Sequence, residues 1–149
     1  MKIQPDFSQS IEFHFEDFEQ FPFPEVDIRK WILFIIENEN KEPGLINVIL
    51  CSDEFLHEMN QRYLKHDELT DIITFDYKED FGNISGDIFI SMERVIENAS
   101  HLKESSLREL CRIIAHGVLH LIGYADKQPE EKTVMTTKEN YYLSFIDFL

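Results

Sequence analysis

The sequence predicts an α+β fold, a mixed sheet of about four strands layered with about five helices in one compact domain over residues 1–149. Three observations carry this expectation. Short apolar runs of strand length are interspersed with longer segments of helical periodicity. At 149 residues and 43% hydrophobic, the chain can build a core without help from a disulfide or a structural metal. One of the helical segments also carries His-x-x-x-His, the spacing of a zincin-like metal-binding helix.

Residues 11–15 (Ile-Glu-Phe-His-Phe) alternate apolar and polar, as a half-buried strand does, with His14 on the polar phase. Prolines break Phe18–Pro24 into a loop. From Glu25 to Asn38 the residues Val26, Ile28, Trp31, Ile32, Ile35 and Ile36 fit a helix lying on a core, with Pro24 suited to its first turn. Pro43-Gly44 is a turn, and Leu45–Cys51 is an apolar strand. Ser52 caps a helix running to Leu64, with Phe55, Leu56, Met59 and Tyr63 inward. Residues 65–70 form a polar connection, and Thr70 and Asp71 fix the loop before the next strand. Ile72–Tyr77 and Gly86–Ser91 are strands joined by a hairpin-type loop at Lys78–Ser85. Ser91–His101 is a helix. Ser106-Leu107-Arg108-Glu109 reads as a capping box that opens the next one. On that helix Leu107, Leu110, Cys111, Ile114, Val118 and Leu121 form the buried stripe. A last helix runs from Glu130 or Thr136 to Phe148.

Composition excludes several classes. The formal net charge of -15 argues against nucleic-acid binding through overall charge, although a local basic groove remains compatible with it. Cys51 and Cys111, the two cysteines, sit in apolar runs and read as buried free thiols, which fits a reducing, cytoplasmic setting. The first residues contain no apolar segment of a secretory signal, and no run approaches the roughly 20 apolar residues of a membrane span.

The chemistry is concentrated between His116 and Asp126. His116 and His120, four residues apart, share one helix face and can point at one ion. Gly123 suits the left-handed conformation that ends a helix, so the chain can turn back. Asp126, three residues on, is the candidate third ligand, and three ligands with one open position describe a catalytic zinc. The long metalloprotease motif has the same spacing, but it needs a glutamate general base directly after the first histidine. That position is Gly117, which can take no proton. The metal would then act mainly by lowering the pKa of its bound water. Arg112, one turn before His116, is a candidate phosphate contact or a plain surface arginine. His66 is a candidate for phosphate binding or proton donation, or a loop residue. His14, His57 and His101 read as structural or solvent-facing.

The string His116-Gly117-Val118-Leu119-His120-Leu121-Ile122-Gly123-Tyr124 resembles the signature of the YbeY family of metal-dependent endoribonucleases. Three upstream blocks resemble family blocks in the same order: Met59-Asn60-Gln61-Arg62-Tyr63, Leu69-Thr70-Asp71-Ile72-Ile73-Thr74-Phe75 and Gly86-Asp87-Ile88-Phe89-Ile90-Ser91. Together they cover Ser52 to Asp126. The resemblance implies a compact α+β fold, one zinc ion per chain and cleavage of single-stranded RNA. It also implies a role in 16S rRNA 3′-end maturation and ribosome quality control. The implied partners are single-stranded rRNA or the small ribosomal subunit, with a ribosome-associated protein as a further candidate and no membrane. This chain departs from the family in two places. Asp126 stands where the family has a third histidine, and Leu64 stands where most members have arginine. Two other functions are compatible with the residues: a metalloprotease-like metallohydrolase, and a non-catalytic ribosome-assembly factor with a structural metal.

Overall fold

A computed structural model describes residues 10–64, 70–77 and 82–149, with the side chain of Leu64 outside that set. Four strands and five helices are arranged in the order β1 (Ile11–Glu16), α1 (Glu25–Asn38), β2 (Pro43–Cys51), α2 (Asp53–Leu64), β3 (Ile72–Asp76), β4 (Ile84–Ser91), α3 (Met92–Leu102), α4 (Ser106–Ile122) and α5 (Pro129–Leu143). The strands form one sheet in the order β1-β2-β4-β3, with β3 antiparallel to β4 and the other pairs parallel. This is the expected α+β architecture with a mixed four-stranded sheet.

Strand periodicity divides the core in two. Successive side chains point to opposite faces of a sheet. Val48, Leu50, Ile88 and Ile90 face the large cluster that also contains Trp31, Ile32 and the buried side of α4. Cys51 and Ile73 belong to a second cluster with Leu56, against which Phe55, Met59, Phe75 and Phe89 pack. Helix α4 is the centre of the large cluster. Leu110, Cys111, Ile113, Ile114, Ala115, Val118, Leu119 and Leu121 are all buried, so it is enclosed on more than the single expected stripe.

Several expectations move. Val26 is exposed, because the α1 stripe is Ile28, Trp31, Ile32, Ile35 and Ile36, and a residue two before Ile28 points away from it. Tyr63 is 57% exposed; β3 is the sheet edge, and the Tyr63 ring meets Phe75 there edge-on. Helix α4 is capped by Ser105 rather than Ser106: Arg108 N–H donates to Ser105 Oγ at 3.1 Å. Glu109 is therefore no capping partner; it is buried and accepts from Arg112 Nε at 3.2 Å. Helix α5 begins at Pro129, whose missing N–H costs nothing at a first helical position. It ends at Leu143, five residues before the expected end, where Phe145 and Ile146 N–H bond three residues back and tighten the chain out of the helix. Strand β4 starts at Ile84, two residues early. The Ser52 cap holds, with Phe55 N–H donating to its Oγ at 3.0 Å.

Both cysteines are buried and free. Burial, helped by the charges of Asp17 and Asp53, pushes the Cys51 thiol up to about 12. Burial likewise pushes Cys111 up to about 12. No helix among the described residues is long and apolar enough to cross a membrane.

Candidate metal centre

Helix α4 and the turn after it bring His116, His120 and Asp126 together. Gly123, at φ +125°, ends the helix. Its N–H bonds the carbonyl of His120 at 3.0 Å, and Tyr124 N–H bonds that of Leu119 at 3.0 Å. This pair is the Schellman pattern, which a glycine completes without the steric cost another residue carries. The chain reverses, and Asp126 returns to the histidine face.

The donor atoms form a small triangle. Nε2 of His116 and Nε2 of His120 are 3.0 Å apart. Oδ2 of Asp126 lies 3.2 Å from the first and 3.3 Å from the second. Ligands about 2.0–2.1 Å from a tetrahedral ion are about 3.3 Å from one another, so the triangle fits such an ion as three of its four ligands. The three residues could thus hold a metal ion. Among the described residues the three side chains are between 23% and 36% exposed, so solvent reaches the triangle.

The outer nitrogens are held as well. His120 Nδ1 lies 2.9 Å from the Tyr124 carbonyl, which can only accept. His116 Nδ1 lies 2.7 Å from Oε2 of Glu139 on α5. With an acceptor behind each Nδ1, both rings can carry hydrogen there and leave Nε2 free to hold an ion. Burial opposes a charged His116 ring. The hydrogen bond and charge of Glu139, with the charges of Asp126 and Asp71, outweigh it and raise the His116 pKa.

Gly117 packs against the sheet. A Cβ there would lie 2.8 Å from Ile88 Cγ2 and 2.9 Å from Ile72 Cδ1. The position that carries the peptidase base thus faces the core, and a side chain fits there only if those of Ile88 and Ile72 shift.

Beside His116 runs a cleft lined by Asp71, Ile72, Glu109, Arg112, Ile113 and Glu139. Arg112 is the cation among these described lining residues. Its guanidinium contacts Glu109 at 3.2 Å, Asn140 at 3.2 Å and Glu104 at 3.6 Å. Burial raises the Glu109 pKa, against the opposing charge of Arg112. His66, the other expected catalytic residue, lies outside the described residues, as do Lys65 and most of the loop between β3 and β4. Glu139 and the Tyr124 carbonyl are absent from the sequence-derived site. The available signal for Glu139 was an acid inside the apolar stripe of α5.

The description "Endoribonuclease YbeY" belongs to the family model that matches residues 14–147. An endoribonuclease YbeY of Cytophaga hutchinsonii is 45% identical over 141 residues, covering 94% of this chain and 98% of its own. One from Amoebophilus asiaticus is 44% identical over 135 residues, with 90% and 91% covered. One from Flavobacterium johnsoniae is 50% identical over 111 residues, with 74% and 78% covered. The solution structure of a Thermotoga maritima protein superposes with a TM-score of 0.62 at 25% identity, covering 90% of this chain and 87% of that one. With a family model spanning nearly its whole length and relatives this similar over most of theirs, the chain belongs to the YbeY endoribonuclease family.

Proposed function

We propose that this protein is a zinc-dependent endoribonuclease that cleaves single-stranded rRNA, acting in 16S 3′-end maturation and ribosome quality control in the cytoplasm. In this reading residues 1–149 work as one domain, and the small ribosomal subunit presents the substrate. The observation that carries the proposal is the triangle of His116 Nε2, His120 Nε2 and Asp126 Oδ2, with both Nδ1 atoms tied to acceptors behind it. His116, His120 and Asp126 would hold the ion. Zinc bound there would supply Lewis acidity and lower the pKa of a coordinated water. The chain's own residues do the rest. The Tyr124 carbonyl orients the His120 ring. Arg112, on the wall of the adjoining cleft, is our candidate for contact with the substrate phosphate, and Glu109 and Glu104 hold its guanidinium in place. His66 is the candidate for a second phosphate contact or a proton donor.

Gly117 favours this reading over a peptidase, because the position holds no general base and a Cβ there would press on Ile88 and Ile72. Three ligands among the described residues, rather than four, favour a catalytic ion over a structural one.

The test is cleavage of a defined single-stranded rRNA fragment by zinc-verified wild type and by His120→Ala. We expect about one zinc per chain in the wild type. The variant should lose the zinc and more than about a hundredfold in cleavage rate, since even outer partners of a metal contribute 10–100-fold. Equal cleavage by both proteins would remove the support for catalysis at this site.

A further inference from the structure

Helix α5 turns Met135, Glu139, Tyr142 and Leu143 toward the protein interior. The spacing i, i+4, i+7, i+8 is that of a core-facing stripe. Glu139 interrupts it with a carboxylate that is 7% exposed. Taking a carboxylate out of water is unfavourable unless it is paired. Its partner is Nδ1 of His116, at 2.7 Å.

Docking of α5 has other sources. Trp31 Nε1 donates to the Tyr142 carbonyl at 2.9 Å, Arg112 Nη1 to Asn140 Oδ1 at 3.2 Å, and Lys138 Nζ to Glu39 Oε2 at 3.1 Å. An apolar side chain at 139 would extend the stripe with less desolvation. The two histidines also differ in what surrounds them. His120 lies in the last turn of α4, where a carbonyl of the following turn reaches its Nδ1. His116 lies a full turn further in, where the carbonyls of α4 serve the helix itself. An acceptor for its ring has to come from another element.

We propose that Glu139 is a positioning residue of the metal centre: by accepting from Nδ1 of His116 it fixes the ring so that Nε2 faces His120 and Asp126, and it makes that ligand a stronger donor. The inference rests on the metal reading above and adds a residue to it from a helix distant in sequence.

The test is zinc affinity, measured by chelator competition on the full chain. Glu139→Gln keeps shape and an acceptor but removes the charge. Trp31→Phe weakens α5 docking without touching either histidine. We expect Glu139→Gln to bind zinc about tenfold to a hundredfold more weakly. Trp31→Phe should melt at lower temperature and keep wild-type affinity. Nitrogen NMR of the zinc-loaded wild type should show His116 protonated at Nδ1 and coordinated through Nε2. That measurement decides the matter even if Glu139→Gln does not fold. Equal affinity in wild type and Glu139→Gln, coordination through Nδ1, or an equal loss in Trp31→Phe would each overturn the role of Glu139 alone. A wild-type protein that binds no zinc removes the metal reading and this inference with it.

Discussion

In the proposed reading, Asp126 and Gly117 set the chemistry of this chain at the scale of single residues. Asp126 puts a carboxylate where the resembling family signature has an imidazole. A negative ligand lowers the effective charge of an ion and so its power to acidify water. Asp126→His is expected to keep zinc and to move the acid limb of the pH–rate profile to lower pH, as read from cleavage rates across a pH series. Asp126→Ala should lose zinc together with activity. At Gly117 two effects compete. Alanine gains about 1 kcal/mol of helix propensity over glycine, but a Cβ at 2.8 Å from Ile88 overpacks a tight contact, at about 1–3 kcal/mol. Overpacking wins, and Gly117→Ala should lower the melting temperature by a few degrees. Gly117→Glu would bury a carboxylate against β4. It should unfold the protein rather than create a peptidase.

Helix α4 is where a small register difference has a measurable consequence. Sequence patterning places the cap at Ser106, within a Ser-x-x-Glu spacing, whereas the structure uses Ser105 and keeps Glu109 for Arg112. A lost serine cap typically costs about 1 kcal/mol. Ser105→Ala should therefore lower the melting temperature by about 2–4 °C in a chain of this size, and Ser106→Ala should leave it nearly unchanged. Thermal melts of the two variants distinguish the registers. The cysteines give an element-level check as well. Cys51 ends β2 and Cys111 sits inside α4, both with thiols pushed up to about 12. Neither should react with a thiol reagent at neutral pH until the protein unfolds.

Across the whole molecule, Glu39 joins three segments that sequence keeps apart. It follows α1, and it accepts hydrogen bonds from Tyr124 in the metal-site turn at 2.5 Å and from Tyr142 and Lys138 on α5. Burial alone would raise its pKa. The hydrogen bonds from Tyr124, Tyr142 and Lys138, with the Lys138 charge, outweigh burial and hold it below 4.5. A carboxylate with a depressed folded pKa stabilises fully above its unfolded value, and the contribution disappears as pH falls through the folded value. Stability should thus fall in acid below about pH 4.5. Glu39→Gln should flatten that limb, and should reduce stability at neutral pH by roughly 1.5–3 kcal/mol, the range for hydrogen bonds to a charged group. Denaturant melts between acid and neutral pH measure both effects.

What the sequence determined by itself is local. Period-two and period-3.6 patterns located the strands and helices, because burial on one face imposes those periods on contiguous residues. The candidate ligand string was legible for the same reason. His116 and His120 are one helical turn apart, and Gly123 and Asp126 follow within a few residues. The errors were local as well, where two serines competed for one cap or a helix ended in gradual unwinding. The tertiary structure alone decided which groups meet from afar. Glu139 reaches His116 across 23 residues, and Glu39 reaches Tyr124 across 85. It also decided that Gly117 is filled by Ile88 and Ile72 rather than left vacant. No periodicity encodes such pairings. They follow from the way α4 and α5 pack against each other and against one sheet, and that packing backs the cluster of two histidines and an aspartate with a carboxylate from a distant helix.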